Sequence, residues 1–260
     1  MGHRARKRFG QNFLTDPHII QRIVNTINPV AGEVVLEIGP GQAALSRPLA
    51  ETDAELHLLE IDRDLAARLQ IMFKPGGRAE VHTGDALKVD FSKIVNGRPF
   101  RLVGNLPYNI STPLLFHVLQ WNDLIIDMHF MLQQEVVKRM AAEPGSKAWG
   151  RLSVMCQYYC QVIPLFDVPP EAFSPAPKVQ SMFVKLVPHK QAPVQIKNMA
   201  VFERLVSQAF SMRRKTLRNS LRGMLDTAMI ESAGIDPGAR PETLSLAQFA
   251  ALCEILESKL

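Results

Sequence analysis

The stretch Phe100-Arg101-Leu102-Val103-Gly104-Asn105-Leu106-Pro107-Tyr108 combines a predicted buried strand with a polar turn. The run from Phe100 to Val103 is short and mainly apolar, which is typical of a strand covered on both faces. Gly104 and Asn105 then place an amide at the carboxyl end of that strand. Ligands bind at this edge in open α/β sheets.

The second half of the same stretch offers hydrogen-bond acceptors and a ring. Pro107 fixes its own φ and favours an extended Leu106, so that neighbouring carbonyl groups point outward. Tyr108 has a flat face on which a base can stack. Acceptors beside a ring suit a planar group with an exposed amine, such as adenine. Taken alone, these residues also fit a plain strand–turn–helix corner.

A glycine turn lies upstream, after the apolar run Val34–Ile38. Gly39-x-Gly41-x-x-Ala44 follows a predicted strand and opens a predicted helix. Glu60 comes 21 residues after Gly39, at the end of the next predicted strand. This pattern matches a fingerprint in which the acid binds ribose hydroxyls. A tight turn alone explains the glycines, but the added acid favours a nucleoside ligand.

Two further acids indicate which nucleoside is bound. Glu37 faces the crevice at the carboxyl ends of these predicted strands. A carboxylate there would repel a pyrophosphate but would attract the ammonium and sulfonium groups of S-adenosylmethionine. Asp85, after a weak third strand, is placed to accept from the adenine amine of this cofactor, although a turn role after Gly84 also explains it. No P-loop lysine, Ser-His-Asp grouping or metal cluster is found, so no metal is expected.

Strand–helix alternation over residues 34–187 predicts a mostly parallel, doubly wound sheet. The last two predicted strands, 162–166 and 182–187, are joined by a proline-rich loop and are expected to pair antiparallel at the edge. Beyond a linker at 188–193 the pattern is helical only, over about 199–211, 214–225, 227–233 and 245–258. The sequence therefore predicts an α/β domain over 1–189 with a basic amino-terminal arm, and a small helical domain over 190–260.

Size and composition support a compact protein that acts in the cytoplasm. Hydrophobic residues make up 47% of the 260 residues and charged residues 21%, which allows a sizeable core. No apolar run approaches the roughly 20 residues of a membrane helix, so no membrane association is expected. The basic start lacks an apolar signal core, and three cysteines without zinc spacing fit a reducing compartment.

Positive charge is concentrated in two segments, although the net charge is only +5. Residues 1–10 contain four basic residues and no acid, and residues 201–225 contain six basic residues and one acid. Such concentration is typical of a polyanion-binding surface, although solvated flexible segments would look the same. The predicted RNA-binding residues are Arg6, Lys7, Arg8, Arg213, Arg214, Lys215, Arg218 and Arg222.

The strings Glu37–Gly41, Glu60–Asp62, Gly84–Ala86 and Asn105–Tyr108 together resemble class I S-adenosylmethionine-dependent methyltransferases that act on adenine amines. Three further strings narrow the resemblance to the bacterial small-subunit ribosomal RNA adenine dimethyltransferases, the kasugamycin-sensitivity enzymes. These strings are Arg6–Leu14, Ala172–Val179 and Arg213–Leu221. The resemblance covers nearly the whole chain in order, without a departure at a motif position.

The resemblance implies a cofactor, a substrate and a set of site residues. S-adenosylmethionine would donate methyl groups to two adjacent adenosines in a hairpin loop near the 3′ end of small-subunit (16S) RNA. The partner would be a late 30S assembly intermediate, and the enzyme is expected to be a monomer. The implied cofactor-binding residues are Gln11, Asn12, Leu14, Glu37, Gly39, Gly41, Glu60, Asp85, Ala86 and Asn105.

The catalytic hypothesis concerns how the target amine is held. The oxygen of Asn105 and a backbone carbonyl at Leu106 or Pro107 would accept its two hydrogens, so that the lone pair points at the methyl group. Tyr108 would stack on one face of the base and Phe173 on the other. A loop anchor in a core groove is the alternative role for Phe173.

Four other functions remain open on the sequence. Two are adenine methyltransferases acting on large-subunit RNA or on DNA, which share the glycine turn and the Asn-x-Pro-aromatic motif. A third is an RNA-binding assembly factor whose main role is to occupy a pre-ribosomal site. The last is a nicotinamide-dependent oxidoreductase, which a titration with S-adenosylmethionine and NAD would distinguish.

Overall fold

A computed structural model describes residues 12–74, 77–107, 111–212 and 214–259. The first half of the chain forms β1 (Phe13–Leu14), α1 (Pro17–Ile27), β2 (Val34–Ile38), α2 (Ser46–Ala50), β3 (Glu55–Glu60), α3 (Arg63–Met72), β4 (Ala79–Thr83), α4 (Phe91–Ile94), β5 (Phe100–Asn105), α5 (Ser111–Val118) and β6 (Ile125–Gln133). The second half forms α6 (Gln134–Met140), α7 (Arg151–Tyr159), β7 (Cys160–Val168), β8 (Phe173–Ser174), β9 (Ser181–Pro188), α8 (Met199–Ala209), α9 (Leu217–Ser220), α10 (Thr227–Ser232) and α11 (Leu246–Lys259). No helix of these residues is long and apolar enough to cross a bilayer.

The chain divides into two compact units. The first contains residues 1–137 and 163–188, and the second contains 138–162 and 189–260. The second unit therefore includes α7 as well as the helices after residue 189. This division assigns residues 138–162 differently from the predicted domains 1–189 and 190–260. As functional domains, those two ranges stay a prediction.

The central sheet has seven strands in the order β4-β3-β2-β5-β6-β9-β7. Pairings of β2 with β3, β2 with β5, β3 with β4 and β5 with β6 are parallel. β9 pairs antiparallel with β6, so the mostly parallel sheet with an antiparallel edge is confirmed. Every residue of β2 is buried, as expected for a central strand whose two faces are covered.

Local sequence determines the start and end of α1. The side chain of Asp16 accepts hydrogen bonds from the backbone N–H groups of His18 at 2.8 Å and Ile19 at 3.1 Å, and Pro17 occupies the first helical position. The helix ends at Asn28, whose φ is 45° and whose N–H donates to the carbonyl of Val24. The predicted Asp16-Pro17 start is confirmed.

One predicted helix is wrong in extent. The pattern predicted a helix over about 214–225, but α9 covers only four residues, Leu217–Ser220. Arg214 has a φ of 66° and Gly223 a φ of 91°, and neither value is compatible with a continuous right-handed helix. The backbone turns at both positions, so that Arg214 and Lys215 precede the short helix, Arg218 lies in it and Arg222 follows it.

Candidate active site

A cavity lies beyond the carboxyl ends of β2, β3 and β5, at the edge where open α/β sheets bind ligands. All of its lining residues belong to the first unit. Its polar lining consists of the side chains and turns at Asn12, Glu37, Gln42, Glu60, Asp85 and Asn105. The structure thus brings together residues from five sequence segments that the motifs had indicated separately.

The glycine turn after β2 requires left-handed backbone. Gly39 has a φ of 67° and Gly41 a φ of 57°, a region that L side chains rarely adopt. A Cβ atom at Gly41 would also lie 3.0 Å from Cε1 of Phe13. Gly41 therefore allows β1 to lie directly against the turn.

Gly104 is required because neighbouring atoms lie too close to leave room for a side chain, and not because its backbone has a positive φ. A Cβ atom there would lie 2.9 Å from the carbonyl oxygen of Ile38 and 2.8 Å from Cδ2 of Leu106. The missing side chain lets the end of β5 approach β2 and lets Leu106 turn into the core, where it is buried. Asn105 is consequently held at the cavity.

Glu37 is a buried carboxyl group at the floor of the cavity. The hydroxyl of Ser46 donates to its Oε2 at 2.6 Å. Burial raises the pKa of Glu37 to about 7, the Ser46 hydrogen bond opposes this, and the charge of Glu60 adds to it. Among the described lining residues there is no lysine or arginine. With the carboxyl groups of Glu37, Glu60 and Asp85 in its lining, the cavity is more favourable to a cationic ligand than to an anionic one.

Glu60, at the end of β3, is oriented by two backbone donors. The N–H of Gly41 donates to Oε2 at 3.1 Å, and the N–H of Asp62 donates to Oε1 at 2.9 Å. Burial raises the pKa of Glu60 in spite of these hydrogen bonds. Because each carboxylate oxygen can accept more than one hydrogen bond, the side chain can still accept from two ligand hydroxyls.

Asp85 is a turn residue that also lines the cavity, and its binding of an adenine amine stays a prediction. Its Oδ1 accepts from the backbone N–H of Leu87 at 3.0 Å, as in a turn, while the residue also lines the cavity. Its Oδ2 lies 3.8 Å from Nζ of Lys88, which is exposed. Ala86 lines the cavity beside it. Local hydrogen bonding thus fixes the direction in which the carboxylate faces the cavity.

Asn105 is held by a long-range hydrogen bond. Its Nδ2 donates to the backbone carbonyl of Asn12 at 2.9 Å. This bond uses one of the two N–H donors of the amide and leaves Oδ1 as an acceptor. Leu106 and Pro107 follow it along the cavity wall. An acceptor and a backbone turn are therefore available at one point, as the catalytic hypothesis requires.

Phe173 lies in the core. Its side chain is only 4% exposed and belongs to a buried cluster that includes Leu14. β8 pairs antiparallel with β1, with Leu14 opposite Phe173 and Phe13 opposite Ser174. Phe173 is absent from the described cavity lining. The ring anchors its loop in this structure, and stacking on a base stays a prediction that requires the ring to leave this site.

Several predicted residues lie outside the described part of the chain: Arg6, Lys7, Arg8, Gln11, Tyr108 and Arg213. The other predicted RNA-binding residues, Arg214, Lys215, Arg218 and Arg222, are exposed on the second unit. Arg218 and Arg222 line one depression together with Lys259. The predicted basic surface thus has three cations in one place, one of which comes from the end of α11.

Sequence reasoning missed several apolar residues of the cavity, among them Phe13 and Ile61. Ile61 directly follows Glu60 and is 47% exposed, unlike most of the isoleucines. Ile61 is thus an exposed apolar side chain that lines the cavity directly beside Glu60. The signal in the sequence was this isoleucine in an otherwise polar turn, Glu60-Ile61-Asp62-Arg63.

Comparison with protein families and curated proteins shows similarity over nearly the full chain. The family model described as ribosomal RNA adenine dimethylase matches residues 2–258. The ribosomal RNA small subunit methyltransferase A of Pseudomonas putida is 56% identical over 255 residues, which cover 98% of this chain and 96% of that protein. Its namesake from Klebsiella pneumoniae is 51% identical over 261 residues, covering 100% of this chain and 96% of that protein.

Comparison with solved structures also shows similarity over nearly the full chain. A dimethyladenosine transferase from Plasmodium falciparum matches with a TM-score of 0.75 and 25% identity, covering 92% of this chain and 95% of that one. The 23S rRNA methyltransferase ErmE matches with a TM-score of 0.72 and 27% identity, covering 95% of this chain and 100% of that one. Both alignments span nearly the whole of this chain.

Proposed function

The chain belongs to the ribosomal RNA adenine dimethylase family, and we propose on this premise that its sheet-edge cavity binds S-adenosylmethionine beside a pocket for adenine. The protein is an rRNA adenine dimethyltransferase with a class I methyltransferase fold, and its activity depends on S-adenosylmethionine. The observation that carries the proposal is the meeting of Glu37, Glu60 and Asp85 with the tethered amide of Asn105 around one cavity.

The residues of the cavity fit this cofactor. Glu37 would face the cationic methionine part, Glu60 would accept from the ribose hydroxyls, and Asp85 would accept from the adenine amine. The bound cofactor supplies an electrophilic methyl group. The absence of lysine and arginine from the described lining supports S-adenosylmethionine over NAD, because a pyrophosphate needs positive charge or free backbone donors.

Asn105 would act by orienting the amine of the target adenine. The lone pair of an adenine amine is delocalised into the ring, so that the nitrogen is a poor nucleophile while it stays planar. If Oδ1 of Asn105 accepts one amine hydrogen and a backbone carbonyl at Leu106 or Pro107 accepts the other, the nitrogen becomes more tetrahedral. Its lone pair then points along one direction, and catalysis comes from positioning and electrostatics.

The substrate is proposed as two adjacent adenosines in a 3′-terminal hairpin loop of small-subunit rRNA, within a late 30S assembly intermediate in the cytoplasm. A base must leave its stack to reach the cavity, which favours loop RNA. Residues 1–189 would perform the chemistry, and residues 190–260 would contact RNA through Arg214, Lys215, Arg218 and Arg222. The enzyme would act as a monomer without a metal ion in the reaction.

Methylation of isolated subunits tests the proposal directly. Purified enzyme and labelled S-adenosylmethionine are added to 30S particles that lack the modification, and modified bases are mapped by primer extension and mass spectrometry. We expect two dimethyladenosines next to each other in the 3′ hairpin loop. Label in 23S RNA of 50S particles instead would favour the specificity named for ErmE and contradict the proposed substrate.

A further inference from the structure

A cluster of two histidines and a glutamate lies on the edge of the sheet, outside the cavity. His57 is on β3, and Glu80 and His82 are on the neighbouring edge strand β4. In the parallel register His57 stands opposite Glu80, and Leu59 stands opposite His82. Because side chains alternate along a strand, these residues lie on one face of the sheet. The topology thus places three metal-ligating side chains side by side.

The distances within the cluster are close to those between the ligand atoms of a zinc site. Nδ1 of His57 lies 3.0 Å from Nε2 of His82. One oxygen of Glu80 lies 3.9 Å from the His57 nitrogen and the other lies 3.9 Å from the His82 nitrogen. Tetrahedral zinc with ligands at about 2.0–2.1 Å needs ligand atoms about 3.3 Å apart. Small side-chain rotations are enough, and the side chain of Glu80 is 68% exposed and able to make them.

The orientation of His57 is fixed from the other side of its ring. Its Nε2 lies 3.1 Å from Oε1 of Glu55, and Glu55 also pairs with Arg98. With Arg98 paired to its other oxygen, the side chain of Glu55 is placed to accept a hydrogen bond from Nε2–H of His57. Nδ1 of His57 then carries a lone pair directed at the cluster. A carboxylate behind a histidine ligand is the usual arrangement in protein zinc sites.

We propose that His57, His82 and Glu80 bind one Zn²⁺ ion, with water in the fourth position. Two imidazoles and one carboxylate suit zinc better than magnesium or calcium, which prefer oxygen ligands. The site would link the edge strand β4 to β3. These two strands lead to Asp85 and Glu60, each three residues beyond a histidine ligand or about 10 Å along the strand. The proposal is independent of the methyl-transfer reaction.

Metal binding to the folded full-length protein, without an affinity tag, tests the proposal. Co²⁺ replaces zinc as a spectroscopic probe, and Zn²⁺ affinity is measured by competition with a fluorescent chelator. We expect one equivalent of Co²⁺ to give the visible absorption of a four-coordinate site, and Zn²⁺ to displace it. At a Zn²⁺ concentration about 100-fold above Kd, we expect Tm to rise by about 5 °C.

Variants identify the ligands. E80Q removes the carboxylate at an exposed position and H82N removes one imidazole, and both should abolish the stoichiometric step. E55Q should weaken zinc binding by about 10- to 100-fold, because it loses the group that orients His57. H18N, at an exposed histidine on α1, is the matched control and should bind as the wild type does. Circular dichroism checks that each variant is folded.

Two results would overturn the proposal. One is the absence of stoichiometric Co²⁺ or Zn²⁺ uptake by the folded wild-type protein, in which case the two imidazoles simply share a hydrogen bond. The other is unchanged uptake in E80Q and H82N, which would place the ion elsewhere. Because Glu80 is exposed, E80Q gives an answer even if H82N fails to fold.

Discussion

Nδ2 of Asn105 donates a hydrogen bond of 2.9 Å to the backbone carbonyl of Asn12, which precedes it by 93 residues. This bond joins the end of β5 to the segment that leads into β1. It also orients the side-chain amide, because one N–H of Nδ2 is directed at the carbonyl of Asn12. The segment around residue 12 thereby takes part in positioning the proposed amine acceptor.

Asn105→Ala is expected to remove most methyl transfer and to leave cofactor affinity within a few-fold. Loss of one preorganised group that orients reacting atoms costs about 100-fold or more in rate. Asn105→Asp should be similarly impaired, since a carboxylate cannot donate to the carbonyl of Asn12. Single-turnover methylation of 30S particles and calorimetric titration with S-adenosylmethionine measure the two effects.

The matched control is Asn25→Ala, at an exposed asparagine on α1. It should methylate at the wild-type rate. If Asn105→Ala also methylates at a rate near that of wild type, Asn105 does not hold the amine.

Glu60→Gln is expected to weaken cofactor binding. The amide side chain has one acceptor oxygen in place of two, so the backbone donors of Gly41 and Asp62 and the ribose hydroxyls cannot all be satisfied. Hydrogen bonds to a charged group contribute about 1.5–3 kcal/mol, which corresponds to a loss of tenfold or more in affinity. Glu51→Gln, at an exposed position, should bind as wild type does. Equal affinities for both variants would exclude Glu60 from the ribose site.

The raised pKa of Glu37 makes stability fall with pH in the free protein. Its pKa is about 7 in the folded protein, whereas an ordinary glutamate, as in the unfolded chain, has a pKa of 4.5. Between these values the folded state keeps a proton that the unfolded state has lost, so the free energy of unfolding decreases as pH rises from about 4.5 to about 7. The full effect of this one group is about 3 kcal/mol.

Glu37→Gln should remove this pH dependence, because the amide stays neutral and can still accept from the hydroxyl of Ser46. We expect its free energy of unfolding to exceed that of wild type at pH 8 and to equal it near pH 4.5. Urea unfolding at several pH values measures the difference, with Glu51→Gln as a control that keeps the wild-type slope. An identical slope in Glu37→Gln would show that Glu37 is ionised in the fold.

Phe173 is expected to matter for stability. Phe173→Ala should lower the free energy of unfolding by about 3–5 kcal/mol, because it leaves a cavity in the core beside Leu14. Phe173→Leu fills most of that space and should cost about 1.5 kcal/mol or less. The methylation rate of Phe173→Leu separates the two roles of Phe173. A wild-type rate supports the role of loop anchor, and a large loss supports stacking on the base.

The double variant Arg218→Glu/Arg222→Glu should weaken binding to 30S particles and reduce its salt dependence. Each lost phosphate contact lowers the slope of log affinity against log salt by about 0.7 to 0.9. Arg68→Glu/Lys93→Glu makes the same change in net charge at exposed positions of the first unit and is the control. Equal effects of the two double variants would show that net charge matters and that this basic surface is not a specific contact.

Features that depend on local interactions could be predicted from the sequence. Alternating apolar runs predicted the parallel sheet, and Asp16-Pro17 predicted the start of α1, because hydrogen bonds and φ restrictions act within a few residues. The glycine turn and the acids at strand ends indicated the cavity for the same reason. Sequence periodicity failed at 214–225, where two left-handed residues break the helix.

Tertiary structure decided whatever depends on residues far apart in the chain. The side chain of Phe173 is buried because β8 pairs with β1, and no local pattern reveals such a pairing. The high pKa of Glu37 arises from burial by surrounding segments. His57 and His82 are 25 residues apart, and only the parallel register of β3 and β4 brings their nitrogens to 3.0 Å. Spacing along the chain carries no such information, since the contact exists only once the strands have paired.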